Sequence, residues 1–361
     1  MKILAASGGS GGHIFPALSF LGELKKKRRD AQVILVVNKR SALDYVFPAE
    51  YKLAFISSSP VEISLKISNI LSLLRLLLSA FQSLGILLRY RPDVVVGFGG
   101  YPSIFLVIFA RFLRIKTVIH EQNVLPGRAN KFLCPLADKI AISFPQSRQY
   151  LKKYAGKTVF TGNMARPEIL KKAAGEAWDF FGFSKHKFTI LVMGGSQGSR
   201  KINNHFLDCL SLLDDRDAIQ VIHLCGRSDL KRLSAAYKDS GVQARVFDFL
   251  KEMRYAYTVS SLIISRAGAA TIAELMSLRV PAVIIPYPHA RQHQLYNARV
   301  LTDKGAAILL EDKDLNAYSL KEKIADLLTD RAKLEEMRGN YDKLEYPAVE
   351  QDLSGTVLSL I

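Results

Sequence analysis

Short runs of apolar, mostly β-branched residues alternate along this chain with longer stretches in which apolar residues recur every three to four positions. KILAA, QVILVV, KLAFI, DVVVGF, KTVIHE and KIAIS occupy the first half; FTILVMGG, AIQVIHL, ARVFDF, SLIISR, PAVIIPY and AAILL occupy the second. Runs with so little polar alternation suit strands buried on both faces. Their alternation with helical patterns predicts parallel sheets covered by helices, the α/β class. Two series predict two domains. A loose internal repeat supports the division: KILAASGGSGGH near the start is echoed by FTILVMGGSQGSRKIN at 188–203, each an apolar strand, a Gly-Gly-Ser loop and a helix start. Ligands of open parallel sheets sit beyond the carboxyl ends of the strands. Two such domains facing each other are therefore expected to enclose a cleft.

One stretch breaks the pattern. Over 61–90 the polar residues Ser68, Ser72, Arg75, Ser79 and Gln82 form one narrow stripe on an otherwise apolar helix. The length allows a membrane span, but Arg75 near the middle and the regular stripe disfavour it. That leaves a helix packed in the domain or one lying at a membrane interface. A second apolar segment, SIFLVIFARFLRIK at 103–116, ends in basic residues.

The 361 residues carry 50 Lys and Arg against 33 Asp and Glu, a net charge of +17. Such a balance asks for an anionic partner: nucleic acid, an acidic membrane surface or a phosphorylated substrate. The basic residues are scattered apart from KKKRR at 25–29, which suits a solvated helix end. With no zinc-finger spacing and no basic–aromatic interleaving, nucleic acid is the weakest choice. Cys134, Cys209 and Cys225 are odd in number and far apart, arguing for a reducing compartment and against disulfides or structural zinc. The few residues ahead of the first glycine loop are too short for a signal-peptide core.

The candidate chemistry lies at strand ends. GGSGGH, ending at His13, stands between a strand and a helix, where backbone N–H groups can cradle an anion. It is neither a Walker loop nor the dinucleotide fingerprint, since Ile14 stands where the third glycine would fall. GFGGYPS at 97–103 is a second glycine-rich strand end, and HEQN at 120–123 puts four polar groups in a row at a third. Arg166, in GNMARPE, could neutralise a diphosphate. In the second half, Ser196 and the amides of GGSQGS form another phosphate-type loop. SRAGAATIAEL at 265–275 is a further small-residue turn, with Glu274 suited to paired ribose hydroxyls; the bland alternative is a solvated helical Glu. Gln294 and Asn297, three apart after PYPHARQH, share a helical face. No glycosidase carboxylate pairing and no metal-ligand spacing is present.

In this order the motifs GGSGGH, GFGGYPS, HEQN, GNMAR, GGSQGS, SRAGAATIAEL and HQLYNA resemble the MurG family. These are the UDP-N-acetylglucosamine:N-acetylmuramyl-(pentapeptide) pyrophosphoryl-undecaprenol N-acetylglucosaminyltransferases of bacterial cell-wall synthesis. The resemblance runs from residue 1 to about 340. Ser10 stands where the family usually has threonine, and Gln292 and His293 depart from its pattern, while Gln294 and Asn297 fit. The resemblance implies a GT-B fold of two Rossmann-like domains. It places a lipid-acceptor and membrane-association domain at 1–162 and a UDP-sugar domain at 163–339, with 340–361 packing back on the first. It implies inverting transfer of N-acetylglucosamine from UDP-N-acetylglucosamine to the muramyl 4-hydroxyl of lipid I, giving lipid II, with no cofactor and no metal. His13 is then the expected general base, with Glu121 as rival. Ser10, Gly11, Gly12 and Tyr101 would meet the transferring sugar and the acceptor diphosphate. Asn123, Gln294 and Asn297 would bind the donor sugar; Arg166 and Ser196 the diphosphate; Glu274 the ribose. Leu250 and the turn Ala269, Ala270, Thr271, Ile272 and Ala273 would line the uracil and phosphate site. Expected partners are the anionic cytoplasmic membrane surface, peripherally bound, and other cell-wall synthesis proteins. The alternatives are another GT-B sugar-nucleotide enzyme, such as a glycolipid glycosyltransferase or a UDP-N-acetylglucosamine epimerase, and a non-enzymatic membrane-surface binding protein.

Overall fold

The computed structural model describes residues 1–9, 11–39, 47, 51–57, 68–166, 169–171, 173–195, 197–289, 292–348 and 351–361. Ser10, Ser196 and positions 61–67 of the apolar segment lie outside the described residues. The chain divides into two compact units, Met1–Met164 with Tyr346–Ile361, and Ala165–Glu345.

Unit 1 is a parallel sheet of β1 (Lys2–Ala6), β2 (Gln32–Asn38), β3 (Lys52–Ile56), β4 (Val94–Gly97), β5 (Lys116–Glu121), β6 (Lys139–Ile142) and β7 (Thr158–Phe160), in the order β3-β2-β1-β4-β5-β6-β7. The three-residue β7 is the strand the hydrophobic pattern misses, being too short to show as a run. Between the strands run α1 (Gly11–Lys27), α2 (Ser68–Tyr90), α3 (Tyr101–Phe112) and α4 (Arg128–Leu133). In α1 the residues Ile14, Ala17, Phe20, Leu21 and Leu24 recur at helical spacing and are fully buried, while Lys25, Lys26 and Lys27 close its last turn, where cations suit the dipole.

Unit 2 contains α5 (Ala174–Phe181), β8 (Phe188–Met193), α6 (Arg200–Leu212), β9 (Ile219–Leu224), α7 (Leu230–Ser240), β10 (Gln243–Phe247), α8 (Met253–Val259), β11 (Leu262–Ser265), α9 (Ala269–Leu278), β12 (Ala282–Ile284), α10 (His293–Thr302), β13 (Ala307–Leu309), α11 (Ala317–Thr329) and α12 (Arg331–Gly339). Its parallel sheet has the order β10-β9-β8-β11-β12-β13. The chain stays with this unit past α12 because Tyr341 is fully buried and donates its hydroxyl to the Val280 carbonyl at 2.8 Å. It then returns to unit 1, where α13 (Leu353–Leu358) buries Leu353 and Val357 in the same core cluster as Phe20, Leu21 and Leu24 of α1. Each such side chain contributes about 1.5–3 kcal/mol by burial. Asp352 caps α13 by accepting from the Gly355 N–H at 2.6 Å, and pairs with Lys27 at the end of α1 at 2.5 Å.

The helix α2 departs from the expected stripe. Ser79 and Ser83 face inward and are buried, and Gln82 accepts the Ser57 N–H at 2.8 Å. Leu77, Leu78, Phe81 and Leu88 face outward instead, with Phe81 at 72% exposure. Phe112 at the end of α3 is 77% exposed. Leu87 is buried beside the two hydroxyls and Arg75 is exposed, so the inward face is mixed while the outward face is largely apolar. Among the described residues no helix is long and apolar enough to cross a membrane.

Candidate active site

In both sheets the strand order reverses beside the first strand, between β1 and β4 and between β8 and β11. Chains leaving neighbouring strands there depart to opposite faces and open a crevice at the carboxyl ends. The glycine loops flank these two points.

In unit 1, His13 sits in the first turn of α1, half-buried, with Gly11 buried and Gly12 exposed beside it. Its ring is bracketed by two loops. A Cβ on Gly8 would fall 2.8 Å from His13 Nδ1, and one on Gly99 would fall 3.1 Å from Nε2. Gly99 also has φ +83, which L side chains rarely adopt. A Cβ on Gly100 would lie 2.7 Å from the Gly8 Cα, so the loops after β1 and β4 touch backbone to backbone. The Ser103 hydroxyl bridges the carbonyls of Ala6 and Gly99, 3.0 and 2.8 Å away. Burial pushes the His13 pKa down to about 4, so the imidazole is neutral at neutral pH. Tyr101 opens α3 directly after these glycines, partly exposed.

Glu121 is buried at the end of β5 and both carboxylate oxygens are occupied. Oε1 accepts from the Asn123 backbone at 2.9 Å and its side-chain amide at 3.4 Å; Oε2 accepts from the Gly127 N–H at 2.9 Å and Asn130 Nδ2 at 2.8 Å. Burial raises its pKa, and these donors pull the other way. A carboxylate with four donors on it has no lone pair to offer a substrate hydroxyl. Glu121, expected as the rival base, is engaged here as a clamp holding the loop that carries Asn123. His120 is fully buried, with Nε2 3.2 Å from the Gly162 carbonyl and Nδ1 3.1 Å from Gln122 Nε2. Asn130, outside every sequence motif, ties Glu121 to the His120 carbonyl.

In unit 2 the loop between β8 and α6 approaches the β9–α7 loop so closely that a Cβ on Gly198 would lie 2.0 Å from the Cys225 carbonyl oxygen. Behind it Asn203 donates to that carbonyl at 3.0 Å and to Asp229 at 2.8 Å, and accepts from buried His223 at 3.0 Å. The loop between β11 and α9 presents Gly268 as the helix cap, and the N–H groups of Ala269, Ala270 and Thr271 form the open first turn. Ile272 and Ala273 are buried under them, as is Leu250 ahead of α8.

Glu274, on α9, is only 5% exposed, so the solvated reading is excluded. Arg166 Nε donates to its Oε1 at 3.1 Å and the Tyr257 hydroxyl donates to its Oε2 at 2.6 Å. Burial, and then the Glu274 charge, holds the Tyr257 pKa well above its usual value, which keeps it a donor. One acceptor position on each oxygen remains, the paired arrangement that two vicinal hydroxyls need. Arg166, expected at the diphosphate, has its Nε engaged by Glu274. Tyr257 was missed because its partner lies seventeen positions away on another helix.

Gln294 Oε1 accepts from the backbone of Ala267 at 3.1 Å and Tyr287 at 2.9 Å. Asn297 is fully buried and donates to the Ala267 carbonyl at 3.2 Å. Asn297, expected at the donor sugar, holds the backbone of the β11–α9 loop through this bond. Arg266, in the turn before α9, is buried between Asp312 at 2.6 Å and the Ser199 hydroxyl at 3.1 Å. Its signal was available: the only charge in a small-residue turn at a strand end. Among the described residues no three His, Cys, Asp or Glu side chains gather as a metal site.

Two parallel-sheet units of this topology, each with a glycine-rich switch point, define a protein of the GT-B type. Residues 3–142 match the glycosyltransferase family 28 N-terminal domain and residues 189–352 the family 28 C-terminal domain. The transferase of Thermodesulfovibrio yellowstonii that carries the name UDP-N-acetylglucosamine–N-acetylmuramyl-(pentapeptide) pyrophosphoryl-undecaprenol N-acetylglucosamine transferase is 39% identical over 93% of this chain and 92% of its own. Its counterpart in Desulforamulus reducens is 33% identical over 98% of this chain and 97% of its own. The crystal structure of Acinetobacter baumannii MurG is similar at a TM-score of 0.75 and 25% identity, covering 99% of both chains. A UDP-N-acetylglucosamine 2-epimerase shares the fold at a TM-score of 0.66 and 14% identity, over 97% of this chain and 93% of its own. The chain belongs to the MurG family of glycosyltransferase family 28.

Proposed function

We infer that this chain transfers N-acetylglucosamine from UDP-N-acetylglucosamine to lipid I, forming lipid II. The observation that carries this is the extended likeness to transferases of that name, at 39% identity over 93% of the chain. In the reaction, the muramyl O4–C1 bond forms as the C1–O bond to UDP breaks, with inversion at C1, and the 4-hydroxyl loses a proton. We assign that proton to His13, the neutral imidazole bracketed by Gly8 and Gly99. Glu121 and Asn130 position the loop bearing Asn123, which we assign to the donor sugar with Gln294. The first-turn amides of α9 and the loop after β8, where Ser196 stands, meet the departing diphosphate. Glu274, oriented by Arg166 and Tyr257, takes the ribose hydroxyls, and Leu250 the uracil.

We also propose peripheral association with the anionic cytoplasmic membrane surface. The support is the outward-facing leucines of α2 with Phe81 and Phe112, on a chain of net charge +17.

The test is transfer of radiolabelled sugar from UDP-N-acetylglucosamine to a lipid I analogue. Labelled lipid product and UDP should appear only with both substrates present. Epimerised UDP-sugar without acceptor, or no turnover with either, would overturn the reading.

A further inference from the structure

A second polar recess lies at the other end of the unit 1 sheet, far from the glycine loops along the strands. The parallel register brings together the amino-terminal ends of β1, β2 and β3, with Lys2 opposite Gln32 and Lys52 opposite Ile34. The last turn of α2 closes over them. The recess, about 280 Å³, is lined by Lys2, Gln32, Ile34, Lys52, Arg89 and Tyr90. At about 30 Å³ per water, that is room for a phosphate and several waters.

The chemistry of the lining is one-sided. Three cations surround the recess, and none of them forms an ion pair among the described residues. The carboxylate next in the chain, Asp93, is turned to another use: its Oδ2 accepts the Lys2 backbone N–H at 2.7 Å. Arg89 rests 5.7 Å from the Tyr90 ring, and Gln32 and Tyr90 add neutral donors. Lys2, Lys52 and Arg89 are exposed, and a multi-oxygen anion in the recess would meet three cations and two neutral donors. Leu88, exposed, directly precedes Arg89 in the last turn of α2. From Phe81 to Arg89 the helix advances roughly 12 Å at about 1.5 Å per residue.

We propose that this recess binds a phosphate group, at a site separate from the donor and acceptor sites. The phosphate comes from an anionic lipid headgroup or from free phosphate in solution. The lipid source rests on the membrane association proposed above; the soluble source does not.

The test compares wild type, Lys52→Gln/Arg89→Gln and a control pair of exposed lysines on the same unit, Lys152→Gln/Lys153→Gln, which removes equal charge. Each is titrated with inorganic phosphate by calorimetry with UDP saturating, and pelleted with phosphatidylglycerol or phosphatidylcholine vesicles. Sugar transfer to a detergent-dissolved lipid I analogue checks that all three are folded. The recess pair should lose about tenfold in affinity for phosphate, for phosphatidylglycerol vesicles, or for both, while the control pair loses less than threefold. Loss confined to phosphate assigns the soluble source, and loss confined to the vesicles assigns the headgroup. If wild type fails to pellet with phosphatidylglycerol, the membrane reading falls and the phosphate titration alone decides. Equal losses in the recess and control pairs in every assay would overturn the proposal.

Discussion

Replacing Glu274 by alanine separates a buried, engaged carboxylate from a solvated one. The substitution leaves the Tyr257 hydroxyl, itself buried, without its 2.6 Å acceptor. An unsatisfied buried donor costs about 1–3 kcal/mol. It also strips Arg166 of its 3.1 Å partner. That side chain is 17% exposed, so water recovers part of the contact and the loss is about 1 kcal/mol. The sum is about 2–4 kcal/mol. For a unit of the size of Ala165–Glu345, about 2–4 °C of midpoint per kcal/mol gives a fall of roughly 4–16 °C in the ligand-free protein. Glu274→Gln keeps an acceptor for Tyr257 and should lose about half as much. Differential scanning calorimetry reads the midpoint, and titration calorimetry reads UDP binding, which should weaken at least tenfold in both variants. An unchanged midpoint in Glu274→Ala would refute the network. Wild-type UDP affinity with a lowered midpoint would leave the network standing and remove the ribose assignment.

Three further outcomes follow from the same geometry. Gly99→Ala places a Cβ 3.1 Å from His13 Nε2 at φ +83, a backbone cost of about 1–3 kcal/mol; turnover should fall at least tenfold with UDP binding intact, whereas Gly85→Ala, with open space around it, should leave turnover alone. Burial lowers the pKa of His13 and His120 to about 4 and of His223 to about 3, against 6.5 unfolded. Below pH 6.5 the unfolded chain binds protons that the folded chain refuses, so their stabilisation is complete above 6.5 and lost as pH falls toward 4, with Glu121, whose pKa is raised, acting in the opposite sense. Urea midpoints at pH 7.5, 6 and 5 should decline in that order, and a flat series would contradict it. Phe81→Ser/Phe112→Ser should reduce pelleting with phosphatidylglycerol vesicles severalfold while sparing transfer in detergent; unchanged pelleting would remove these side chains from the membrane face.

The sequence by itself determined the fold class and the strand ends where backbones come close. Twelve apolar runs are legible because a parallel strand buried on both faces needs apolar residues without interruption. The glycines at 8, 99, 100 and 198 are legible as loops because close backbone approach leaves no room for a Cβ. What a side chain does inside those loops was decided by tertiary structure. Glu121 and Asn297 look as available in the sequence as Asn123 and Gln294. One has both oxygens filled by donors from its own loop, and the other is sealed beneath the Ala267 carbonyl. Tyr257 and Arg166 reach Glu274 from distant positions, and no local spacing encodes such a meeting. The stripe of α2 was visible, but not where its members end up: Ser79 is buried and Arg75 exposed. Which face of a helix meets the protein depends on what the sheet and α3 offer it, and here they take Ser79 and Ser83 and leave Phe81 outside. Periodicity fixes which residues share a face; only packing decides where that face points.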